Sequence, residues 1–298
     1  MKKTQIYLFR FQAVFLPVLS ILLSACVKRD LDRRSEEQEP EITITLNWNN
    51  GYIPSGTRFH FYHENGTSQT VDCSATGFKG KLPKGIYQVL AYNTDATGVE
   101  HASLERYEKA HIRALPETPA RGQSGTLCHV RNVYCVAINR LTVEDGPQQH
   151  TVIPRKAEKT ISFRYKTKGI NDIAAMKSTL TGVVPAIYHH TGESTGELCQ
   201  SVVSEISTAG DEYTSQVRVL GLENNTVISV EILHSDGSSE RTLPHDIGQE
   251  LEGYREGDTI EIDLQTDGGE LIAVEVDVEN WQNGGEWWLD IENKNSNI

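Results

Sequence analysis

Glu41-Ile42-Thr43-Ile44-Thr45-Leu46-Asn47-Trp48 decides how the rest of the chain is read. Apolar side chains stand at every second position from Ile42 to Trp48, and polar ones fill the gaps. Successive side chains of a strand point to opposite faces, so this spacing belongs to a strand with one wet and one buried face. After the turn Asn49-Asn50-Gly51 come strand patterns at Thr57–Tyr62, Ile86–Tyr92, Val130–Ile138, Thr151–Ile153 and Ile161–Tyr165. They continue at Gly182–Tyr188, Ser215–Leu220, Thr226–His234, Thr259–Leu264 and Leu271–Val278, and again at Trp287, Leu289 and Ile291. At the end of Leu271–Val278 the residues Val274, Val276 and Val278 alternate with Glu275, Asp277 and the following Glu279. Leu104–Leu115 fits helix and strand equally. One short helix is expected near 171–180, where Ile173, Met176 and Leu180 share a helical face behind a cap at Asn171 or Asp172. Strands spaced by Gly, Asn and Asp turns make this an all-β chain of two tandem antiparallel β-sandwiches. The pattern breaks at Pro154-Arg155-Lys156-Ala157-Glu158-Lys159, which separates residues 41–157 from 158–298.

Upstream of Glu41 the chemistry is different. Residues 27–40 carry two apolar side chains, too few to offset the entropy of ordering them, so 26–40 reads as a charged flexible tether. Arg33-Arg34 within it is a dibasic site. Before it, Lys2, Lys3 and Arg10 precede the uncharged run Phe11–Ala25, the layout of a secretory signal over residues 1–25. A membrane span is disfavoured because the run is short, holds Pro17 and meets charge at once. Leu23-Ser24-Ala25-Cys26 resembles the lipobox of a bacterial lipoprotein. That resemblance implies cleavage between Ala25 and Cys26 and acylation, palmitate included, of the Cys26 thiol. Each buried methylene gains about 0.8 kcal/mol, so more than one acyl chain on a residue holds a domain to a bilayer.

Charge removes several function classes. The chain carries −13, and loss of the signal with its three cations makes the remainder more acidic still. Nucleic-acid binding draws its affinity from Lys and Arg on phosphates, so it is not expected here. Four cysteines remain beyond Cys26, namely Cys73, Cys128, Cys135 and Cys199, and they allow three pairings. A domain of this size does not need staples, so free thiols are expected, with Cys128–Cys135 the first pair to form if any does. No C-x-x-C or H-x-x-x-H spacing exists to place a metal, and no cofactor is expected. Asp263, Asp267 and Asp277 lack a calcium-loop pattern.

Gly192-Glu193-Ser194-Thr195-Gly196 matches G-x-S-x-G beside His189-His190. A nucleophile elbow needs strand, sharp turn and helix, and Glu197–Ile206 lacks a helical period. Turn chemistry accounts for the Gly, Ser and Thr, so Ser194 is a remote hydrolase candidate and no catalytic residue is assigned. His60, His63 and His245 read as solvated or hydrogen-bonded. Asn65-Gly66-Thr67 and Asn224-Asn225-Thr226 match the glycosylation tripeptide, which has little weight in a bacterial exported protein. Trp281, Trp287 and Trp288 are candidates for contact with a partner or a glycan, since exposed tryptophan stacks on sugars.

Several stretches together resemble the fimbrium-associated anchor and adhesin lipoproteins of Bacteroidetes, in a branch of about this length. They are the lipobox and tether, Ile42–Trp48 with Phe59-His60-Phe61-Tyr62, and Leu82-Pro83-Lys84-Gly85-Ile86-Tyr87-Gln88-Val89. Others are Lys168-Gly169-Ile170, Leu180-Thr181-Gly182 with Tyr188 and Thr191-Gly192-Glu193, Ser235-Asp236-Gly237-Ser238 with Leu243–Ile247, and Val276–Trp281. The resemblance implies fimbrillin-like, transthyretin-like Greek-key sandwiches held at the cell outer membrane, and no catalytic residues. It implies fimbrial subunits or other surface proteins as partners, joined by β-strand addition, and a role in cell adhesion or in fimbrial anchoring and assembly. Stalk subunits of this group lose a first strand to an arginine-specific protease. Arg33-Arg34 precedes the first strand here, so a cut would release the protein without opening a groove, which favours a permanent anchor or adhesin. A glycan-binding surface lipoprotein using the C-terminal tryptophans is the alternative reading.

Overall fold

The structure, a computed structural model, describes residues 39–279 except 49–50, 118–125, 198–199, 210–211, 253, 256 and 268–269. Strand β1 (Glu41–Leu46) lies between antiparallel β4 (Gly77–Lys81) and parallel β9 (Gln148–Val152). Facing them is a five-stranded sheet in the order β10 (Arg155–Lys156), β8 (Tyr134–Val143), β5 (Gly85–Asn93), β2 (Thr57–His63), β3 (Ser68–Cys73). Ile42, Ile44 and Leu46 enter the core between the sheets, against Phe59, Phe61, Phe78, Tyr87, Val89 and Val143. The period-two reading of β1 thus places its apolar side where it was expected. Burial of each such side chain contributes about 1.5–3 kcal/mol.

The second group repeats this plan. One sheet runs β15 (Ser207–Ala209), β16 (Glu212–Val219), β11 (Lys159–Lys168), β20 (Thr259–Asp267), β21 (Glu270–Glu279). The other runs β14 (Gln200–Glu205), β12 (Ile173–Val183), β17 (Leu222–His234), β18 (Ser239–Arg241), with β19 (His245–Asp246) also pairing β17. Ile161, Phe163, Tyr165, Leu180, Val217, Ile228, Val230, Ile232, Ile260 and Ile262 fill the space between. Pairing is antiparallel throughout except β1 with β9 and β11 with β20.

A smaller sheet, β6 (Val99–Ala102), β7 (His111–Ala114) and β13 (Ala186–Tyr188), joins sequence from both groups. The larger core accordingly takes in Tyr92, Ile112, Val130, Val133 and Cys135 from the first group. Leu104–Leu115, which fitted either period, divides into turns up to Lys109 and then β7.

The expected helix near 171–180 is not there. Ile173–Val183 is β12, paired with β14 on one side and β17 on the other. Met176 and Leu180 are four apart, a spacing that satisfies one helical turn and two strand repeats alike. Ile173 falls out of the strand alternation because the register shifts between Ile173 and Ala175. Buried Ser178, between Met176 and Leu180, shows the true period. The one α-helix of the described residues, α1, is the single turn Gly248–Glu252. Cys73, Cys128 and Cys135 are free thiols, so the Cys128–Cys135 bridge does not form. Cys199 lies outside the described residues.

Candidate functional site

Strand β2 is covered on both faces. Phe59 and Phe61 enter the sandwich core, while His60 and Tyr62 point outward and are buried as well. Their cover is the segment from β6 through the turns to Ala110: Tyr62 and Leu90 pack on Tyr107 and Ala110, and the Tyr62 hydroxyl donates to Leu104 O at 2.8 Å. The Tyr107 hydroxyl donates to Asn139 Oδ1 at 2.6 Å.

Along this cover runs a line of rings. His60 Nδ1 lies 3.0 Å from Thr70 Oγ1, and its Nε2 lies 3.2 Å from the Tyr92 hydroxyl. Tyr92 stacks on His101 with centroids 3.6 Å apart. His101 Nδ1 meets His189 Nε2 at 3.0 Å. His189, just past β13, is fully buried, and its amide donates to Ala110 O at 3.0 Å. Arg155 Nη2 donates to the His189 carbonyl at 3.3 Å, while His189 Nδ1 has no hydrogen-bond partner. Desolvation, then the charges of His60 and Arg58, push His101 down to about 3. Desolvation also holds His189 well below its usual range, with His101, His60, Arg155 and His111 adding to the effect. These rings are therefore neutral at pH 7. Among the described residues no three His, Cys, Asp or Glu side chains converge to hold a metal ion.

Ser194 sits on a hairpin corner. Tyr188 N donates to Glu193 O, Thr195 N to Ala186 O, and Ile187 bridges Ser194, so the chain folds back on β13. The next described element is the strand β14, and Ser194 Oγ accepts from Gly196 N at 3.2 Å. The strand–turn–helix that would strain the serine into a nucleophile is not formed. His63 Nε2 lies 3.1 Å from Lys84 O, and His245 begins β19. Asn65 caps its own turn by accepting from Thr67 N at 2.9 Å, whereas Thr226 of the second glycosylation tripeptide is fully buried. Asp263 and Asp267 belong to β20, and Asp277 to β21. A polar hollow lies at the β17–β18 turn, lined by Asn171, Asp172, His234, Asp236 and Glu240. Ala25, Cys26, Trp281, Trp287 and Trp288 lie outside the described residues.

Sequence reasoning missed the ring line. Its residues are far apart in the chain and share no spacing. The only local sign was Phe59-His60-Phe61-Tyr62, an unbroken aromatic run that marks a strand covered on both sides.

Similarity to known proteins bears on what such a fold is for. Residues 25–204 match the family described as a domain of unknown function, DUF5119. The chain belongs to the DUF5119 family. The matched DUF5119 region runs from the residue before Cys26 into β14. A Bacteroides ovatus protein named for fimbrium anchoring, Fim4B, is 26% identical over 180 residues, 57% of this chain and 53% of that protein. The match thus spans about half the length of that relative. A B. ovatus crystal structure described as an adhesin superposes with a TM-score of 0.64 at 16% identity, covering 82% of this chain and 95% of that one. The Porphyromonas gingivalis fimbrial anchor protein Mfa2 gives 0.54 at 9%, covering 82% and 97%. At such identities the likeness is one of fold. The family resemblance in the sequence and these comparisons agree.

Proposed function

We propose that this DUF5119 chain is a surface lipoprotein of the cell outer membrane that anchors or helps assemble fimbriae, or acts directly in adhesion, without catalysis. The observation that carries the reading is the match to Fim4B across 180 residues, joined to the lipobox at Leu23–Cys26. In it, residues 1–25 are a removed signal, Cys26 carries the acyl groups and 26–40 is the tether. Residues 41–157 and 158–298 form the two sandwiches. Sheet edges such as β3, with Ser68, Gln69, Thr70 and Asp72 exposed, offer backbone groups to which a partner subunit could add a strand.

The test is the Cys26→Ala protein in the native organism, with palmitate labelling and fractionation beside a count of retained fibres. Loss of label, release from the membrane and shed fibres are expected. Unlabelled wild-type protein, or fibres equally well retained in the variant and in a gene deletion, would reject the reading. A second reading rests on Trp281, Trp287 and Trp288, three tryptophans within one short stretch. If these bind a glycan, a glycan array shows binding that Trp287→Ala or Trp288→Ala abolishes.

A further inference from the structure

We propose that the His101–His189 pair is an acid-released latch: proton uptake there frees β13 from β7 and loosens the seam between the two strand groups, while the β4-β1-β9 layer stays folded. The geometry carries this. Two ring nitrogens 3.0 Å apart share one proton, donated by whichever ring holds it. A second proton on that contact sets two N–H groups face to face. His189 Nδ1 is buried with no acceptor, so a proton arriving there creates an unpaired cation, and one arriving at His101 Nε2 charges a ring that is stacked on Tyr92 and already desolvated.

The surroundings offer no relief. From β2, Arg58 and His60 act on His101; from β7, β6 and β10, His111, His101 and Arg155 act on His189. Tyr92 of β5 stacks against His101 and stays a neutral phenol, its ionisation opposed by burial. Asp72 of β3, the carboxylate that acts on His60, is already paired with Arg58 at 2.6 Å. Glu100 of β6 is paired with Arg113 of β7. His190, which follows His189, rests on Tyr107.

What the latch holds is small. β13 meets β7 over three residue pairs, Ala186–Arg113, Ile187–Ile112 and Tyr188–His111, flanked by Ala114 N to Pro185 O and His189 N to Ala110 O. Opening this short ladder lets both imidazoles reach water and titrate near 6.5, so each pH unit below that value favours the open form about tenfold per histidine.

Hydrogen exchange on the full chain at pH 7 and pH 5, corrected for the intrinsic rate, reads the effect by segment. Peptides holding Ala114 and His189 should exchange about tenfold faster or more at pH 5, and those of β1 should not change. His101→Gln and His189→Gln, shown by thermal melting to be folded at pH 7, should each keep only one histidine's share of the acid response, and the double variant should lose it. Carbon NMR of the wild-type imidazoles serves if neither variant folds: both rings should remain neutral until seam protection falls. Equal protection at both pH values, an acid response undiminished in the folded variants, or ring protonation with the seam still closed would each overturn the proposal.

Discussion

Gly77 stands opposite Thr45, at the end of the β1–β4 ladder. Its φ of +114° lies where side chains are rarely tolerated, and a Cβ there would meet Ile44 O at 2.0 Å. Gly66 shares a positive φ of +88° in the β2–β3 turn, but a Cβ there would meet nothing. The pair therefore separates backbone strain from collision. Gly66→Ala should cost about 1 kcal/mol from strain alone. Gly77→Ala adds displacement of a central strand and should cost roughly 3 kcal/mol or more. Urea midpoints of the two variants check this, and equal costs would mean that β1 does not sit as tightly against β4 as described.

At the scale of elements, β12 is where periodicity misled, and one substitution tells its two readings apart. In the strand, Ser178 is 1% exposed, near the Tyr165 hydroxyl. On a helix carrying Ile173, Met176 and Leu180 inward it would face water. Ser178→Asp should therefore bury an unpaired charge and cost about 3 kcal/mol or more, measured by chemical denaturation. A stability change below about 0.5 kcal/mol, as for a surface position, would sink the strand assignment. Elsewhere the alternation was enough: β1, β2, β5, β11, β16, β17 and β20 lie where their apolar residues said, because one face of each meets a core. β3 and β4 were illegible, since Ser68–Cys73 and Gly77–Lys81 together bury one large side chain, Phe78. The β6-β7-β13 sheet was illegible for a different reason. Its pairing depends on the path of the whole chain, and nothing in Ala186-Ile187-Tyr188 names His111–Ala114 as its partner. The ring line inherits that blindness, as His101 and His189 meet only once this sheet has formed.

Across the whole molecule, the proposed tether sets a direction of load. Force from a membrane anchor enters at the N-terminal end of β1, which is paired on both sides: with β4 from Glu41–Lys81 to Thr45–Gly77, and with β9 from Ile42–Gln148 to Leu46–Val152. Pull along β1 loads these ladders in shear, so their hydrogen bonds share the force instead of opening one by one. The core side chains Ile42, Ile44 and Leu46 must leave the sandwich in the same step. β1 should thus give way at a higher force than a strand peeled from an edge. Neighbouring residues of a strand direct their amides to opposite sides, and β9 is an edge strand with one neighbour. Of His150→Pro and Thr151→Pro, one removes an amide from the β1–β9 ladder and the other removes an amide that points away from it. Single-molecule pulling between the N-terminus and a handle in the Ser235–Ser238 turn should show a lower first unfolding force for one of these variants and a near-native force for the other. If both keep the wild-type force, β1 is not the strand that carries the load, and the fold resists at some other point along the path.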